Sequence, residues 1–248
     1  MLRSSEKGKK SKTSPEYLPK KYQELIEYHS QKPYFAEPYR TLRSNLHLFN
    51  SHTPIKTLLV TSSEPAEGKT TILVNLAISF SEEGKSVLII DSDLRKPKIH
   101  EFFEIESYPG LTEILLGSKK LEEVIKNINA NLNVIPSGFL PKDPLMLIGS
   151  PATKNFINDV KSKFDIVLFD SPPVLSGNDA ILISKHTDGV VFVLNSGTVK
   201  EGSVKKAQGR LKKVKANVLG VVMNRFEPKI HGDSYNPYEA YYYNFNEK

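Results

Sequence analysis

The sequence contains no cysteine, which excludes disulfide staples, a cysteine-ligated metal and a thiol nucleophile. It has no apolar run near the roughly 18 residues that a membrane-spanning helix needs. The basic opening stretch MLRSSEKGKKSKTS has no apolar h-region behind it, so it does not read as a secretory signal. No internal repeat of about 20 to 50 residues is visible. The basic clusters lack an accompanying aromatic or arginine-rich readout element, and nucleic acid is not an expected partner. A reducing cytosol fits these absences, with the membrane reached only through a partner.

What is present is the composition of a globular protein, 39% apolar and 25% charged over 248 residues, enough for one sizeable core. The net charge of +6 is unevenly spread. Arg3, Lys7, Lys9, Lys10, Lys12, Lys20 and Lys21 crowd the start without apolar periodicity. Residues 1–30 therefore read as a basic flexible arm, which an anionic lipid surface would attract by about 1 kcal/mol per basic residue. Lys205, Lys206, Arg210, Lys212, Lys213 and Lys215 are different, because Val204, Ala207, Leu211 and Val214 recur among them at helical spacing. Those cations occupy the outer face of an amphipathic helix.

Five short runs, 57–61, 86–91, 165–170, 189–194 and 218–223, are continuously apolar and rich in β-branched residues. Continuity without alternation predicts strands buried on both faces of a parallel sheet. Residues 132–135 could add another strand. Between the first two runs, residues 70–83 carry Leu73, Leu76, Ala77 and Phe80 on one stripe and stop at Gly84, a helix-ending residue. The alternation predicts a doubly wound, mostly parallel α/β sheet. Ahead of it, Tyr39, Leu42, Leu46 and Phe49 mark an amphipathic helix with Pro38 near its start. After residue 228 a polar segment holds Tyr235, Tyr238, Tyr241, Tyr242 and Tyr243 and no core pattern. The expected division is an arm over 1–30, a domain over 31–228 and a tyrosine-rich tail over 229–248.

The first run leads through Ser62-Ser63-Glu64-Pro65-Ala66-Glu67-Gly68-Lys69-Thr70-Thr71 directly into the helix. A loop so placed presents backbone N–H groups and a helix N-terminus to phosphate oxygens. Ser63, Glu67, Gly68, Lys69, Thr70 and Thr71 are the candidates to hold the nucleotide, with Lys69 neutralising phosphates and the Thr70 hydroxyl ligating Mg²⁺. The general pattern G-x-x-x-x-G-K-[ST] lacks its first glycine, since Ser63 stands there. Asp91 and Asp93 follow the second run on one side of the strand, and Asp170 ends the third. Ligands collect beyond the carboxyl ends of such strands. A single strand-end aspartate serves equally well to cap the next loop, but three together predict carboxylates meeting near Lys69. Mg²⁺ needs few of them, because water and phosphate supply the rest.

The loop, the Asp91-Ser92-Asp93-Leu94-Arg95-Lys96-Pro97 segment and the Asp170-Ser171-Pro172-Pro173 segment resemble, in order, the Walker A, A′ and B motifs of the bacterial tyrosine kinases of capsule and exopolysaccharide systems. The resemblance covers roughly residues 35–248 and implies a P-loop NTPase fold and a protein-tyrosine kinase using ATP and Mg²⁺. It assigns catalysis to Lys69, Asp91, Asp93 and Asp170, and the metal to Thr70, Asp93 and Asp170. Asn224 and Arg225 match the place where the family reads adenine, and the five tail tyrosines match its autophosphorylation cluster. Glu37, Arg40 and Arg43 match an E-x-x-R-x-x-R helix that implies a homo-oligomeric ring; a simple surface helix would need only a Glu37–Arg40 pair, a few tenths of a kcal/mol. Further expected partners are a membrane-embedded modulator that activates the domain at the inner face of the membrane, a protein-tyrosine phosphatase and sugar-nucleotide enzymes. Two departures stand out: Ala66 replaces a glycine and Met146 a glutamate. If position 66 needs a positive φ, alanine is strained there by about 1 kcal/mol. The alternatives are a partitioning-type ATPase switch, whose second loop lysine is Glu64 here, and a nucleotide-binding scaffold disabled by Ala66.

Overall fold

The computed structural model describes residues 20, 24–25, 33–49 and 55–226. Seven strands form one sheet in the order β3-β4-β2-β5-β1-β6-β7. They are β1 (Thr57–Ser62), β2 (Val87–Asp91), β3 (Lys126–Asn127), β4 (Leu132–Ile135), β5 (Ile166–Asp170), β6 (Gly189–Asn195) and β7 (Val218–Asn224). All neighbours are parallel except β3 against β4. The helices are α1 (Pro33–Phe49), α2 (Lys69–Glu82), α3 (Ile99–Phe102), α4 (Leu111–Leu115), α5 (Leu121–Val124), α6 (Pro144–Ile148), α7 (Pro151–Lys163), α8 (Asp179–Ser184) and α9 (Glu201–Lys213).

Every residue of β1, β2, β4, β5 and β6 is buried, as their unbroken apolar runs require. Alternating side chains feed two cores. Leu59, Leu88, Ile90, Phe169 and Phe192 face α7 and α9, whereas Leu58, Val60, Ile89, Leu168 and Val191 face α2 and Leu46 of α1. β7 departs from the expectation. It is an edge strand, paired on one side only among the described residues, and Val218, Val221 and Met223 stay 41, 55 and 46% exposed. On α9, Ala207 and Leu211 are buried and the lysines point outward.

Helix α1 also differs from its expected form, because it starts earlier and Pro38 lies inside it. Proline has no N–H for the carbonyl four residues back, so one helical bond is missing there. Its buried stripe ends at Leu46, while Leu48 and Phe49 are 75 and 53% exposed. At the start of the chain, the Lys20 N–H donates to Glu104 at 3.4 Å and Leu25 packs against the second core. The rest of the expected arm, and the tail with Tyr235, Tyr238, Tyr241, Tyr242 and Tyr243, lie outside the described residues.

Candidate active site

Residues 63–68 carry the chain from β1 into α2. Gly68 has φ 89°, and a Cβ added there would lie 2.0 Å from Asn224 Nδ2. That amide donates to the Glu67 carbonyl at 2.9 Å, so Asn224 holds the loop from the end of β7. The Glu67 carboxylate is buried. It accepts the Ser63 N–H at 2.8 Å, the Ser63 hydroxyl at 2.8 Å and the Glu64 N–H at 3.1 Å. The hydroxyl standing where the general pattern has glycine is thus bonded into the loop. Glu64 is tied in turn to α9 by the Ser203 hydroxyl at 2.6 Å. Ala66 has φ 64°, the left-handed region that costs a non-glycine residue about 1 kcal/mol.

Beyond the loop, Lys69 Nζ lies 3.8 Å from Asp93 Oδ2, and the Thr70 hydroxyl donates to Asp170 Oδ2 at 2.7 Å. Asp93 Oδ1 accepts the Lys96 and Arg95 N–H groups at 3.0 and 3.3 Å. Register sets Asp91 of β2 beside Asp170 of β5. Of the three carboxylates, Asp91 is the one held by backbone N–H groups on both oxygens. Asp91 Oδ2 accepts the N–H groups of Lys98 and Ile99, each at 3.0 Å, and Oδ1 that of Asp93 at 3.3 Å. Its oxygens are engaged by backbone where the chain returns to start α3. Among the described residues no group of three or more His, Cys, Asp or Glu side chains could hold a metal. Two carboxylates and a threonine hydroxyl remain, which suits an ion that keeps water and phosphate in its shell.

Asp170 tests whether such an ion fits. Its Oδ1 is buried without a hydrogen-bond partner among the described residues, a costly state for a carboxylate oxygen unless a ligand completes it. Burial pushes its carboxyl up to about 6, against the pull of Lys69 and the Thr70 hydroxyl. Burial, and then the charge of Asp170, push Asp91 up to about 8, against the N–H groups of Ile99 and Lys98. An unfolded aspartate titrates at about 3.9. The folded state therefore holds the extra proton between about 4 and about 8, and this stabilisation is lost as pH rises through that window. Asp91→Asn is expected to flatten the decline in nucleotide-free protein, read as thermal midpoint against pH. An unchanged slope would assign the decline to other groups.

Thr71 is exposed at the first turn of α2. Arg225 has φ 54° and its N–H donates to Asn224 Oδ1 at 3.0 Å, while its carbonyl accepts the Ser196 hydroxyl at 2.7 Å. Glu37, Arg40 and Arg43 sit at the opposite end of α2. Arg40 lies 3.5 Å from Glu82 and 4.0 Å from Glu37, and Arg43 lies 3.6 Å from Glu83 and donates to the Ser79 carbonyl. Asp179, a buried residue that pairs with Arg95 at 3.2 Å, carries no signal in the sequence. It follows the Walker B-like segment at no recognisable spacing.

A Gly-Lys-Thr loop between a buried parallel strand and a helix, its threonine bonded to the carboxylate of the adjacent strand, defines a P-loop nucleotide-binding domain. Residues 56–218 match the family described as AAA domain. The chain is 37% identical over 190 residues to tyrosine-protein kinase YwqD of Bacillus subtilis (strain 168), covering 76% of this chain and 80% of that protein. It is 32% identical over 235 residues to the putative tyrosine-protein kinase CapB of Staphylococcus aureus, covering 94 and 97% of the two. The solved chimerical protein CapA2B2 superposes with a TM-score of 0.76 at 34% identity, covering 84% of this chain and 92% of that one. The chain belongs to the bacterial tyrosine-protein kinase family. That membership favours the kinase over the partitioning-type ATPase.

Proposed function

We propose that this protein transfers the γ-phosphate of ATP to tyrosine hydroxyls, including those of its own tail, and so regulates capsular or exopolysaccharide synthesis or export. The observation that carries the reading is Asp170. One of its oxygens is bonded to Thr70 and the other is buried without a partner among the described residues, within reach of the charges of Lys69 and Asp93.

Bound ATP–Mg²⁺ supplies the transferable phosphoryl group and the cation that offsets its charge. Lys69 and the backbone of residues 67–71 would hold the phosphates, and Thr70, Asp93 and Asp170 the Mg²⁺. Asn224 and Arg225 would border the adenine. Asp91 would orient the acceptor phenol or take its proton; a phenol with a pKa of about 10 needs modest help to lose it. Glu37, Arg40 and Arg43 would serve a homo-oligomeric ring that presents the tail to a neighbouring subunit. Successive phosphates, each adding about −1.5 to −2 charges, would repel that tail and loosen the ring.

Among the described residues no helix is long and apolar enough to cross a membrane. The resemblance supplies the remaining partners: a membrane-embedded modulator that holds the protein at the inner face, a protein-tyrosine phosphatase, and sugar-nucleotide enzymes as substrates. The test is incubation of the full chain with ATP–Mg²⁺, with and without a candidate activator, and mapping of phosphate by mass spectrometry. Phosphate on Tyr235, Tyr238, Tyr241, Tyr242 or Tyr243 is the expected result. ATP turnover without tyrosine labelling would place the protein with the switch ATPases, and no turnover with the activator would make it a scaffold.

A further inference from the structure

Two loops at the carboxyl end of the sheet are stitched into one rigid unit beside the phosphate site. Ile90 of β2 is paired with Ile135 of β4, so the chain leaving β4 at Pro136 stands next to Asp91. The Leu111 N–H donates to the Pro136 carbonyl at 2.8 Å, the Thr112 N–H to Ser137 at 3.0 Å and the Gly138 N–H to Ser107 at 2.9 Å. At the centre the buried Glu113 carboxylate accepts the Gly110 N–H at 2.7 Å and the Phe139 N–H at 3.2 Å. The approach leaves no room for side chains. A Cβ on Gly110 would lie 2.0 Å from the Gly138 nitrogen, and one on Gly138 2.2 Å from Glu113 Oε2.

This well-braced unit displays apolar side chains to solvent. Tyr108 is 57% exposed, Phe139 67% and Leu140 50%, and Met146 on the following helix is 74% exposed. Single exposed apolar residues need no explanation, but a group of them on a rigid loop scaffold marks a docking surface. Its position, one strand over from Asp91 and on the side of β2 away from β1, is the side from which a phenol can approach without crossing the nucleotide loop.

We propose that Tyr108, Phe139 and Leu140 form the docking platform for this chain's own tyrosine segment, residues 235–245, during phosphoryl transfer; the inference rests on the kinase reading above. The segment, YNPYEAYYYNF, is aromatic with one charged residue, and aromatic side chains seat well on an aromatic and aliphatic face. Reach also fits. The described chain ends at Phe226, beyond β7, which lies five strand spacings from β4 in the sheet, about 24 Å. Residues 227–235 span about 30 Å when extended.

The test pairs two measurements on the full chain carrying Phe139→Ser and Leu140→Ser, with Leu48→Ser, an exposed apolar position on α1, as control. In the first, each protein phosphorylates full chain carrying Lys69→Met as acceptor. The double variant is expected to raise KM for the acceptor about tenfold, with an unchanged thermal midpoint, while Leu48→Ser behaves as wild type. In the second, a fluorescent peptide of residues 232–246 is titrated onto each protein without ATP, and the double variant is expected to bind it about tenfold more weakly. Unchanged acceptor KM or unchanged peptide affinity overturns the platform. So does dissociation of an oligomer by the double variant with peptide affinity retained, which would mean that a second copy covers this face. Wild-type protein that binds the peptide through these residues but labels no tyrosine would count against the kinase reading alone.

Discussion

Lys69→Met is expected to abolish tyrosine phosphorylation, lowering kcat by about 10²–10³-fold or more, with little change in folding. Phosphoryl transfer needs positioning and charge neutralisation rather than covalent chemistry from the protein. Removal of one preorganised charge-stabilising group typically has an effect of that size. Lys69 is the first residue of α2, and its ammonium already lies 3.8 Å from Asp93. Methionine keeps the length of the side chain and its helical preference, so the loss is confined to charge. The thermal midpoint of the nucleotide-free variant should stay close to wild type, and phosphotyrosine should fall to background. Undiminished labelling would remove Lys69 from the mechanism.

Gly68→Ala should have the next largest effect and act by a different route. A Cβ at this position meets Asn224 Nδ2 at 2.0 Å on a backbone with φ 89°, so contact and conformation both oppose it. Relief requires the Asn224 amide to leave the Glu67 carbonyl, or the loop to close differently at the N-terminus of α2. The conformational part alone costs about 1–2 kcal/mol, and the affinity for ATP should fall at least about tenfold. Asn224→Ala removes the contact, the hold on the Glu67 carbonyl and the proposed adenine contact, so the comparison is made within that background: there the added Gly68→Ala should cost less affinity than it does in wild type, because only the φ penalty is left. Titration with a fluorescent nucleotide measures all four proteins. An equal cost in both backgrounds would show that crowding by Asn224 contributed nothing, and no cost in the Asn224→Ala background that it was the whole effect.

What the sequence disclosed, and what it withheld, follows from how local each feature is. Four of the five expected strands, β1, β2, β5 and β6, were legible because solvent is excluded from both faces, which leaves apolar runs such as Val87–Asp91. The nucleotide loop was legible because Gly-Lys-Thr sits where strand becomes helix, whereas the positive φ of Ala66 was an open condition that the fold decides. β3 could not be read, since Lys126–Asn127 has no apolar run and exists only by pairing with β4. The exposure of β7 depends on which strand ends at the sheet edge, which its own residues do not encode. Asp91 was placed correctly on the strand end, yet its bonds to Lys98 and Ile99 depend on the chain returning there. Arg43 reaching the Ser79 carbonyl, and Glu113 bracing two loops, are likewise contacts between segments distant in sequence.

The arrangement of the site is tested most directly by a crystal structure of the chain with Mg²⁺ and a non-hydrolysable ATP analogue. Triphosphate is expected to be cradled by residues 67–71, with the metal held by Thr70, Asp93 and Asp170 directly or through one water and Asp170 Oδ1 engaged. A nucleotide bound elsewhere, or a metal that leaves Asp170 Oδ1 without a partner, would contradict that arrangement.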